Sequence, residues 1–479
     1  MSEHRMLVGG EWLAGSEQMP VLNPANEQVI ANVPIASESD VEHALQQAVA
    51  AQRTWSRQTG VERGNVLRRW ARLVDLRKEH LAHILSQEQG KPLSEAIGEI
   101  EFGRSWIDYY AEFDRRIEGD ILSPDMPNEQ MWIVPQPVGV VVGIIPWNYP
   151  SALMARKVAP ALITGNAIVL KPHEDTPLSA LEMAKLAEEA GVPPGILSVV
   201  TGPGATVGEA LVRNPIPRLI TFTGSAKTGK HIMRTAADTV KTVSLEMGGK
   251  APFVVMDDAD IDKAVTAAIS SRFINCGQVC ICNERTYIHK RIADQFLSRF
   301  LHEVRKLKLG NPLDEGTQLG PKVNRMELEK VERYVEDARK NGAEVITGGK
   351  RPSGGEFSHG YWYEPTVVTR VRQDMRIMQE EVFGPVIPIM EFSDFEEGIK
   401  LANDSAFGLA AYVFTNDMNH VLRAIRDIEC GELYINRGMG ESIHGFHSGW
   451  KQSGVGGDDG KYGLDHYLQR KTVYIRYQS

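Results

Sequence analysis

The chain has 479 residues, 42% of them hydrophobic and 24% charged, with a formal net charge of −9 at pH 7. That length allows two or three domains with large cores, and the acidic balance argues against a nucleic-acid partner, because phosphate binding needs a basic surface. No stretch approaches the roughly 18 consecutive apolar residues of a membrane span, and no apolar run of a secretory signal follows Met1, so a cytoplasmic chain with no membrane partner is expected.

In chain order, a short β-like opening over 6–13 is followed by apolar residues at helical spacing over 41–58 and 63–89. Residues 130–142 alternate and then turn β-branched, as a strand does. From there strand character at 138–145, 167–170, 197–201 and 219–222 alternates with helical character at 156–164, 178–190, 206–213 and 228–237. This rhythm predicts a parallel sheet covered on both faces. After Glu246 a second α/β run begins, strand-like at 251–256 and 411–414 and helix-like at 261–273, 293–307, 327–341 and 395–403. The tail, 471–477, reads as a strand with no partner beside it in sequence. Neither an internal repeat nor a low-complexity segment interrupts the pattern.

Of the four cysteines, Cys276, Cys280 and Cys282 fall within seven residues and Cys430 stands apart. Such sparse use suits a reducing compartment rather than a disulfide scaffold. Structural zinc wants four ligands, usually as two separated pairs. No second Cys/His pair stands at that spacing, so no metal is expected. A thiolate attacks carbonyls and a thiol hardly does, and a cysteine of ordinary pKa is only about 3% thiolate at pH 7. A reactive cysteine therefore needs special surroundings. Gly277-Gln278 ahead of Cys280 permits a sharp turn and close backbone approach, while a small buried hydrophobe is the competing reading of a lone cysteine. Glu246, taken alone, reads as a solvated residue at a strand end.

Four segments, in order and at the family's spacing, resemble motifs of the aldehyde dehydrogenase superfamily. They are Pro146-Trp-Asn148-Tyr-Pro, Val243-Ser-Leu-Glu246-Met-Gly-Gly-Lys, Phe273-Ile-Asn-Cys-Gly-Gln-Val-Cys280 and Glu380-Glu381-Val-Phe383-Gly-Pro. The resemblance spans about residues 8–476. It implies that Cys280 attacks an aldehyde to form a thiohemiacetal. The Asn148 side chain and the Cys280 N–H would hold the oxyanion, one such donor being worth about 3 to 4 kcal/mol of transition-state stabilisation. Hydride would pass to a nicotinamide, leaving a thioester, and Glu246 would deprotonate the water that hydrolyses it. A carboxylate raised toward neutrality by burial suits that role. Relatives that pass the acyl group to coenzyme A generally lack this glutamate, so the resemblance implies release of the free acid.

Lys171-Pro-His-Glu174 follows a strand and resembles the family's adenine-ribose motif; by itself it is equally a surface charge cluster. The resemblance implies that Lys171 and Glu174 hold the ribose hydroxyls, and a carboxylate there repels a 2′-phosphate, so NAD is expected ahead of NADP. His173 replaces the usual serine and would weaken that discrimination if protonated near the 2′ position. Phe222-Thr-Gly224-Ser225 follows a strand and opens a helix whose N–H groups are suited to a pyrophosphate, although it is not the Gly-x-Gly-x-x-Gly fingerprint. Gly204 and Gly208 form a second glycine cluster, for which a turn and helix start is the competing reading. Ile145, Pro146 and Trp147 are assigned to the cofactor side. Glu381 would hold the nicotinamide ribose and Phe383 would pack near the nicotinamide.

The segment 435–450, with 454–461, resembles the lactaldehyde/glycolaldehyde dehydrogenase subgroup. The resemblance implies that Glu441 and His447 contact a short 2-hydroxyaldehyde. Ile281 stands where that subgroup has an asparagine, and Met439-Gly440 replaces its Asn-Phe pair. A pocket that hydrogen-bonds a hydroxyl discriminates well, and isoleucine cannot do so. A semialdehyde of the succinic type, anchored by Arg156 or Arg437, and a broad aliphatic aldehyde are the alternatives. A cysteine hydrolase is disfavoured because no Cys/His pair is assignable in the sequence.

The implied architecture is α/β: a Rossmann-type NAD-binding domain (1–121 and 140–246), an α/β catalytic domain (247–445) and a small β bridging region (122–139 and 446–479). An unpaired edge strand invites pairing between chains, so a homodimer or homotetramer is expected.

Overall fold

A computed structural model describes residues 2–478 of the chain. The chain opens with five short strands, the last two being Glu17–Leu22 and Val29–Ile35, rather than the single β-like opening read from the sequence. Four helices follow: Glu38–Trp55, Gly60–Leu76, Lys78–Gln89 and Leu93–Ala111. The first two start at capping boxes, Ser37 with Asp40 and Thr59 with Glu62, each satisfying two otherwise orphaned N–H groups. The continuous helix expected over 63–89 is two helices, because Arg77 (φ −111°, ψ 9°) leaves the helical region.

The first large sheet has eight strands. Its five central strands run, in spatial order, Thr242–Met247, Leu219–Gly224, Val140–Ile144, Ala167–Lys171 and Leu197–Val199, and all pair in parallel. Chain order therefore reverses between Val140–Ile144 and Leu219–Gly224. In open α/β sheets ligands bind beyond the carboxyl ends of the strands at such a switch point. Antiparallel strands close both sides, with Gly454–Val455 at one edge and Met6–Val8 and Glu11–Leu13 at the other.

One helix over this sheet, Pro150–Ile163, is buried along all 14 residues. A helix buried all round has no polar face, which is why sequence periodicity finds only its second half, at 156–164. Pro150 occupies the first turn, where a missing N–H costs nothing. The buried Glu99 carboxylate takes the place of an N-cap side chain, accepting from Ser151 N (2.9 Å) and Ala152 N (3.2 Å).

The chain passes from Thr242–Met247 into Ala251–Val255, a strand of the second, seven-stranded sheet. That sheet runs Glu344–Thr347, Thr366–Thr369, Val386–Phe392, Asn283–His289, Ala251–Val255, Ala410–Phe414 and Glu432–Ile435, parallel except for the first pair. Asn283–His289 is polar in sequence and invisible to hydrophobic pattern, yet every residue of it is buried. The C-terminal strand, Leu468–Arg476, finds its partner far back in the chain: it pairs antiparallel with Glu129–Pro137, which also pairs with Asp120–Leu122.

Inside the second sheet, Glu284 binds four donors. Its carboxylate accepts from Lys250 Nζ (2.6 Å), Val382 N (3.0 Å) and Phe383 N (2.9 Å), and pairs with Arg272 Nη1 at 3.1 Å. Arg272 in turn donates to the carbonyls of Gly277 (2.8 Å), Asn283 (2.9 Å) and Gly384 (2.7 Å). Burial opposes the charge on Glu284, but Lys250 and Arg272 outweigh it and pull its pKa down to about 2. Removing one member of a buried pair leaves the other charge uncompensated. Glu284→Gln should therefore lose about 3 to 5 kcal/mol of stability at neutral pH, measured by denaturant unfolding. Because the folded pKa is depressed, this contribution is present above the unfolded carboxylate value and fades as pH falls from about 4.5 toward about 2. The difference between variant and parent should shrink across the same window.

Candidate active site

A cavity of about 640 Å³ opens at the switch point, between the two sheets. Pro146, Trp147 and Asn148 line it from the end of Val140–Ile144, Thr223, Gly224 and Ser225 from the end of Leu219–Gly224, and Glu246 from the end of Thr242–Met247. The second sheet contributes Cys280, Ile281, Glu381 and Phe383, and the C-terminal segment contributes Met439, Glu441 and His447.

Cys280 lies in the loop between the helix Ile261–Phe273 and the strand Asn283–His289. Three consecutive residues ahead of it, Asn275 (φ 48°), Cys276 (φ 56°) and Gly277 (φ 70°), are left-handed. Such residues cost about 1 to 3 kcal/mol each where a side chain is present. The site holds them with specific bonds: Asn275 N donates to Glu95 Oε2 (2.8 Å), and Asn275 Nδ2 donates to Asn148 O (3.0 Å). A Cβ on Gly277 would stand 2.3 Å from Gly384 O, so the sharp turn expected at this glycine is present and only glycine fits.

Asn148 is fixed from both ends. Lys91 Nζ, paired with Glu99, donates to its carbonyl at 2.9 Å, and its side-chain Nδ2 donates to Gln278 O at 2.9 Å. The second Nδ2 hydrogen is left for another acceptor. Cys276 and Cys282 are fully buried and their thiols are pushed up to about 12 by burial. Cys280 is more accessible. Burial raises its thiol pKa, while His447 opposes that rise.

Glu246, a plausible solvated residue in sequence, is 2% exposed. Neither of its carboxylate oxygens has a hydrogen-bond partner among the described residues, and burial pushes its pKa up to about 8. His447 lies between this carboxylate and another: its Nε2 is 3.5 Å from Glu246 Oε2 and its Nδ1 is 3.3 Å from Glu432 Oε1. Cys280 and His447 line the same cavity. Glu432, Glu441 and His447 bring one potential ligand atom each within 4.8 Å of one another, a grouping that does not involve the cysteine cluster.

Arg156 lines the same end of the cavity, but its charge is already matched. Its guanidinium binds Asp459 through two hydrogen bonds, stands 3.5 Å from Glu441 and packs over the Trp106 ring. Lys157 beside it pairs with Asp458 at 3.1 Å and donates to Thr221 Oγ1 at 2.8 Å. Arg437, the other cation considered for an acidic substrate, is exposed, donates to Gly440 O and does not line the cavity.

On the opposite side, Glu381 accepts from Gly249 N (2.8 Å) and its pKa is pushed up to about 7 by burial. Phe383, at φ 56°, meets Trp147 edge to face with ring centroids 5.4 Å apart. Ser225 caps the helix Ala226–Ala237, leaving first-turn N–H groups toward the cavity. Thr223 Oγ1 is buried there without a partner. Phe222 is 4% exposed and lies under Gly224 as part of the core, outside the cavity lining. Ile145 is likewise buried, its N–H bonded to Lys171 O at 3.1 Å.

Lys171 and Glu174 form a pair at 3.2 Å beyond the end of Ala167–Lys171, outside the main cavity. Gly204 N donates to Glu174 Oε1 (3.4 Å) and Gly208 lies against the Lys171 side chain. His173 Nδ1 accepts the Asp175 N–H at 3.2 Å, which requires that nitrogen to be unprotonated, and burial lowers the ring's pKa.

Sequence reasoning missed Glu432, Asp458, Asp459 and Lys157. The paired aspartates were visible in 454–461, but their partners Arg156 and Lys157 lie some 300 positions earlier, beyond any local pattern.

The chain matches the Aldehyde dehydrogenase family over residues 12–473. It is 45% identical over 479 residues to the 3,6-anhydro-alpha-L-galactose dehydrogenase of Vibrio sp. (strain EJY3), covering 100% of both chains. To the lactaldehyde dehydrogenase of Escherichia coli (strain K12) it is 43% identical over 477 residues, 99% of each. A solved 3,6-anhydro-L-galactose dehydrogenase in complex with NAP is similar at a TM-score of 0.97 and 47% identity, covering 99% of this chain and 100% of that one.

Proposed function

Since the chain belongs to the aldehyde dehydrogenase family and is an NAD(P)-dependent oxidoreductase acting on aldehydes, we propose that its substrate is a hydroxylated aldehyde, foremost a short 2-hydroxyaldehyde such as lactaldehyde or glycolaldehyde, and its product the free acid. The observation that carries this reading is the substrate end of the cavity: Glu441 and His447 offer an acceptor and a ring nitrogen for hydroxyl groups, while Arg156 is committed to Asp459. An acidic semialdehyde would meet the Glu441 carboxylate there, and Arg156, the guanidinium lining that end, is already paired with Asp459 and Glu441. Ile281 beside the nucleophile keeps the reacting carbon's surroundings apolar.

In this mechanism Cys280 Sγ attacks the aldehyde carbon. The free Asn148 Nδ2 hydrogen and the Cys280 N–H receive the oxyanion. NAD(P), when bound, supplies the acceptor for the hydride that leaves the thiohemiacetal carbon. Ser225 and the first turn of its helix suit a pyrophosphate, Glu381 the nicotinamide ribose, and Trp147 and Phe383 the nicotinamide. Glu246 takes a proton from the water that cleaves the Cys280 thioester. Lys171 and Glu174 hold the adenine ribose. The charge on Glu174, whose pKa is lowered with the help of Lys171 although burial opposes it, disfavours a 2′-phosphate. An unprotonated His173 lends that phosphate no attraction, so NAD is the preferred cofactor. We assign residues 1–121 and 140–246 to cofactor binding, 247–445 to catalysis, and 122–139 with 446–479 to bridging between subunits of a cytoplasmic homodimer or homotetramer.

Cys280→Ala should abolish NAD(P)H production, and the parent should show its highest kcat/KM on lactaldehyde, glycolaldehyde or a larger hydroxylated aldehyde such as 3,6-anhydro-L-galactose. The panel should include succinic semialdehyde and an aliphatic aldehyde and be run with both cofactors. A large preference for the aliphatic or acidic member defeats the substrate reading. For deacylation, Glu246 must be ionised, so single-turnover thioester hydrolysis should rise with pH and be half-maximal near the pKa of about 8. Glu246→Gln should remove that inflection and let acyl-enzyme accumulate, detected by intact-protein mass. The unpaired outer edge of Leu468–Arg476 is the proposed subunit contact. Light scattering at micromolar concentration should give a dimer or tetramer mass, and a monomer mass contradicts the assignment.

A further inference from the structure

We propose that Gly98 sets the upper size of the substrate: its missing side chain leaves the mouth of the cavity wide enough for a hydroxylated aldehyde that branches or closes a ring beyond C2. The inference deepens the hydroxyaldehyde reading of this cavity and rests on it.

The helix Leu93–Ala111 forms one wall of the cavity. Glu95, Glu99, Phe102, Ser105 and Trp106 line it, and at 3.6 residues per turn they share one side of the helix. Gly98 also lines the cavity and falls near the middle of that stripe, so a side chain at this position would point toward the cavity. Glu99 and Trp106 are buried whereas Gly98 is exposed, which places Gly98 at the mouth rather than in the depth.

Glycine is a poor choice for the interior of a helix, since it loses the most backbone freedom on folding. Two structural needs justify it elsewhere, and neither applies here. Gly98 is not one of the glycines with positive φ; it has ordinary helical backbone, open to any residue. Close packing does not require it either, because a Cβ built on Gly98 meets no atom of the described residues within 4 Å. Gly103 on the same helix gives the contrast. A Cβ there would stand 3.2 Å from Ala152 Cα, where this helix packs on Pro150–Ile163. Gly103 thus serves the approach of two backbones, whereas Gly98 leaves open space on the way to Cys280. The C-terminal segment adds to this opening. Gly440 lines the cavity at φ 147°, a conformation suited to glycine, so bare backbone stands there as well.

The chemistry of the mouth fits groups beyond C2. Glu95 accepts the Asn275 N–H at 2.8 Å, and a carboxylate has sites for several hydrogen bonds, so it can take a substrate hydroxyl as well. Phe102 and Trp106, with ring centroids 4.1 Å apart, offer an apolar surface for the carbons of a ring.

The test separates size from hydroxylation. With the preferred cofactor saturating, kcat/KM is measured for glycolaldehyde, 3,6-anhydro-L-galactose, acetaldehyde and cyclohexylacetaldehyde on the parent, Gly98→Ala and Gly98→Leu. The parent should turn over the ring aldehydes. Gly98→Leu should lower kcat/KM for both of them about tenfold or more and leave the two-carbon aldehydes within about twofold. Gly98→Ala should follow the parent on all four and raise Tm, because alanine favours helix and meets no neighbour. A parent inactive on both ring aldehydes overturns the proposal, as does a Gly98→Leu protein that loses nothing on them or loses equally on small and large substrates. If Gly98→Leu does not fold, Gly98→Met takes its place; failure of both to fold, or a fall in Tm for Gly98→Ala, contradicts the open space and also overturns it. A parent that prefers acetaldehyde to glycolaldehyde, and cyclohexylacetaldehyde to the sugar, defeats the hydroxyaldehyde reading instead. The size comparison within each pair is read independently, so the two failures are distinguishable.

Discussion

A single buried carboxylate, Glu284, ties together the loops of the second sheet that face the cavity. Through Arg272 it reaches the Gly277 carbonyl and the left-handed turn before Cys280, and directly it holds the N–H groups of Val382 and Phe383. Through Lys250 it also holds the connection that follows Glu246. The proposed nucleophile, the proposed base and the aromatic wall of the cofactor side are thereby referred to one point. A buried ion pair gives little net stability, because desolvation offsets most of its Coulomb attraction. Its return here is positional: four donors of fixed direction leave the loops around it one arrangement.

The proposed substrate end of the cavity follows a different electrostatic logic. There carboxylates outnumber cations, and each cation has a near partner: Arg156 with Asp459, and Lys157 with Asp458. What remains available is a set of oxygens and one imidazole, a chemistry suited to hydroxyl donors. Among the described residues Glu246 has no hydrogen-bonding partner, and burial drives it toward the neutral acid. A carboxylate in that state holds its proton weakly enough to exchange it near neutrality and strongly enough to take one from water.

Much of this was legible in the sequence, because the four motif segments carry the switch-point loops and both ends of the chemistry. The parallel sheet of the first half followed from alternating apolar runs, and the turn at Gly277 from one glycine. What was hidden falls into two physical kinds. The first is burial without a pattern: the helix Pro150–Ile163 has no polar face, and the strand Asn283–His289 hides Glu284 and Arg285 by pairing them internally. The second is long-range charge matching, since no local window relates Arg156 to Asp459 or Lys157 to Asp458. The partner of the C-terminal strand was hidden for the same reason, as its register with Glu129–Pro137 is set by tertiary packing.

The wide separation of these ionic partners has a consequence for how the protein is made. Arg156 and Lys157 emerge from the ribosome 303 and 301 residues before the aspartates that neutralise them. At about 5 to 20 residues per second, that interval is roughly 15 to 60 s. Throughout it Arg156 and Lys157, buried in the helix over the first sheet, lack these two counter-ions. The nascent chain is therefore electrostatically unfinished until these aspartates have been made.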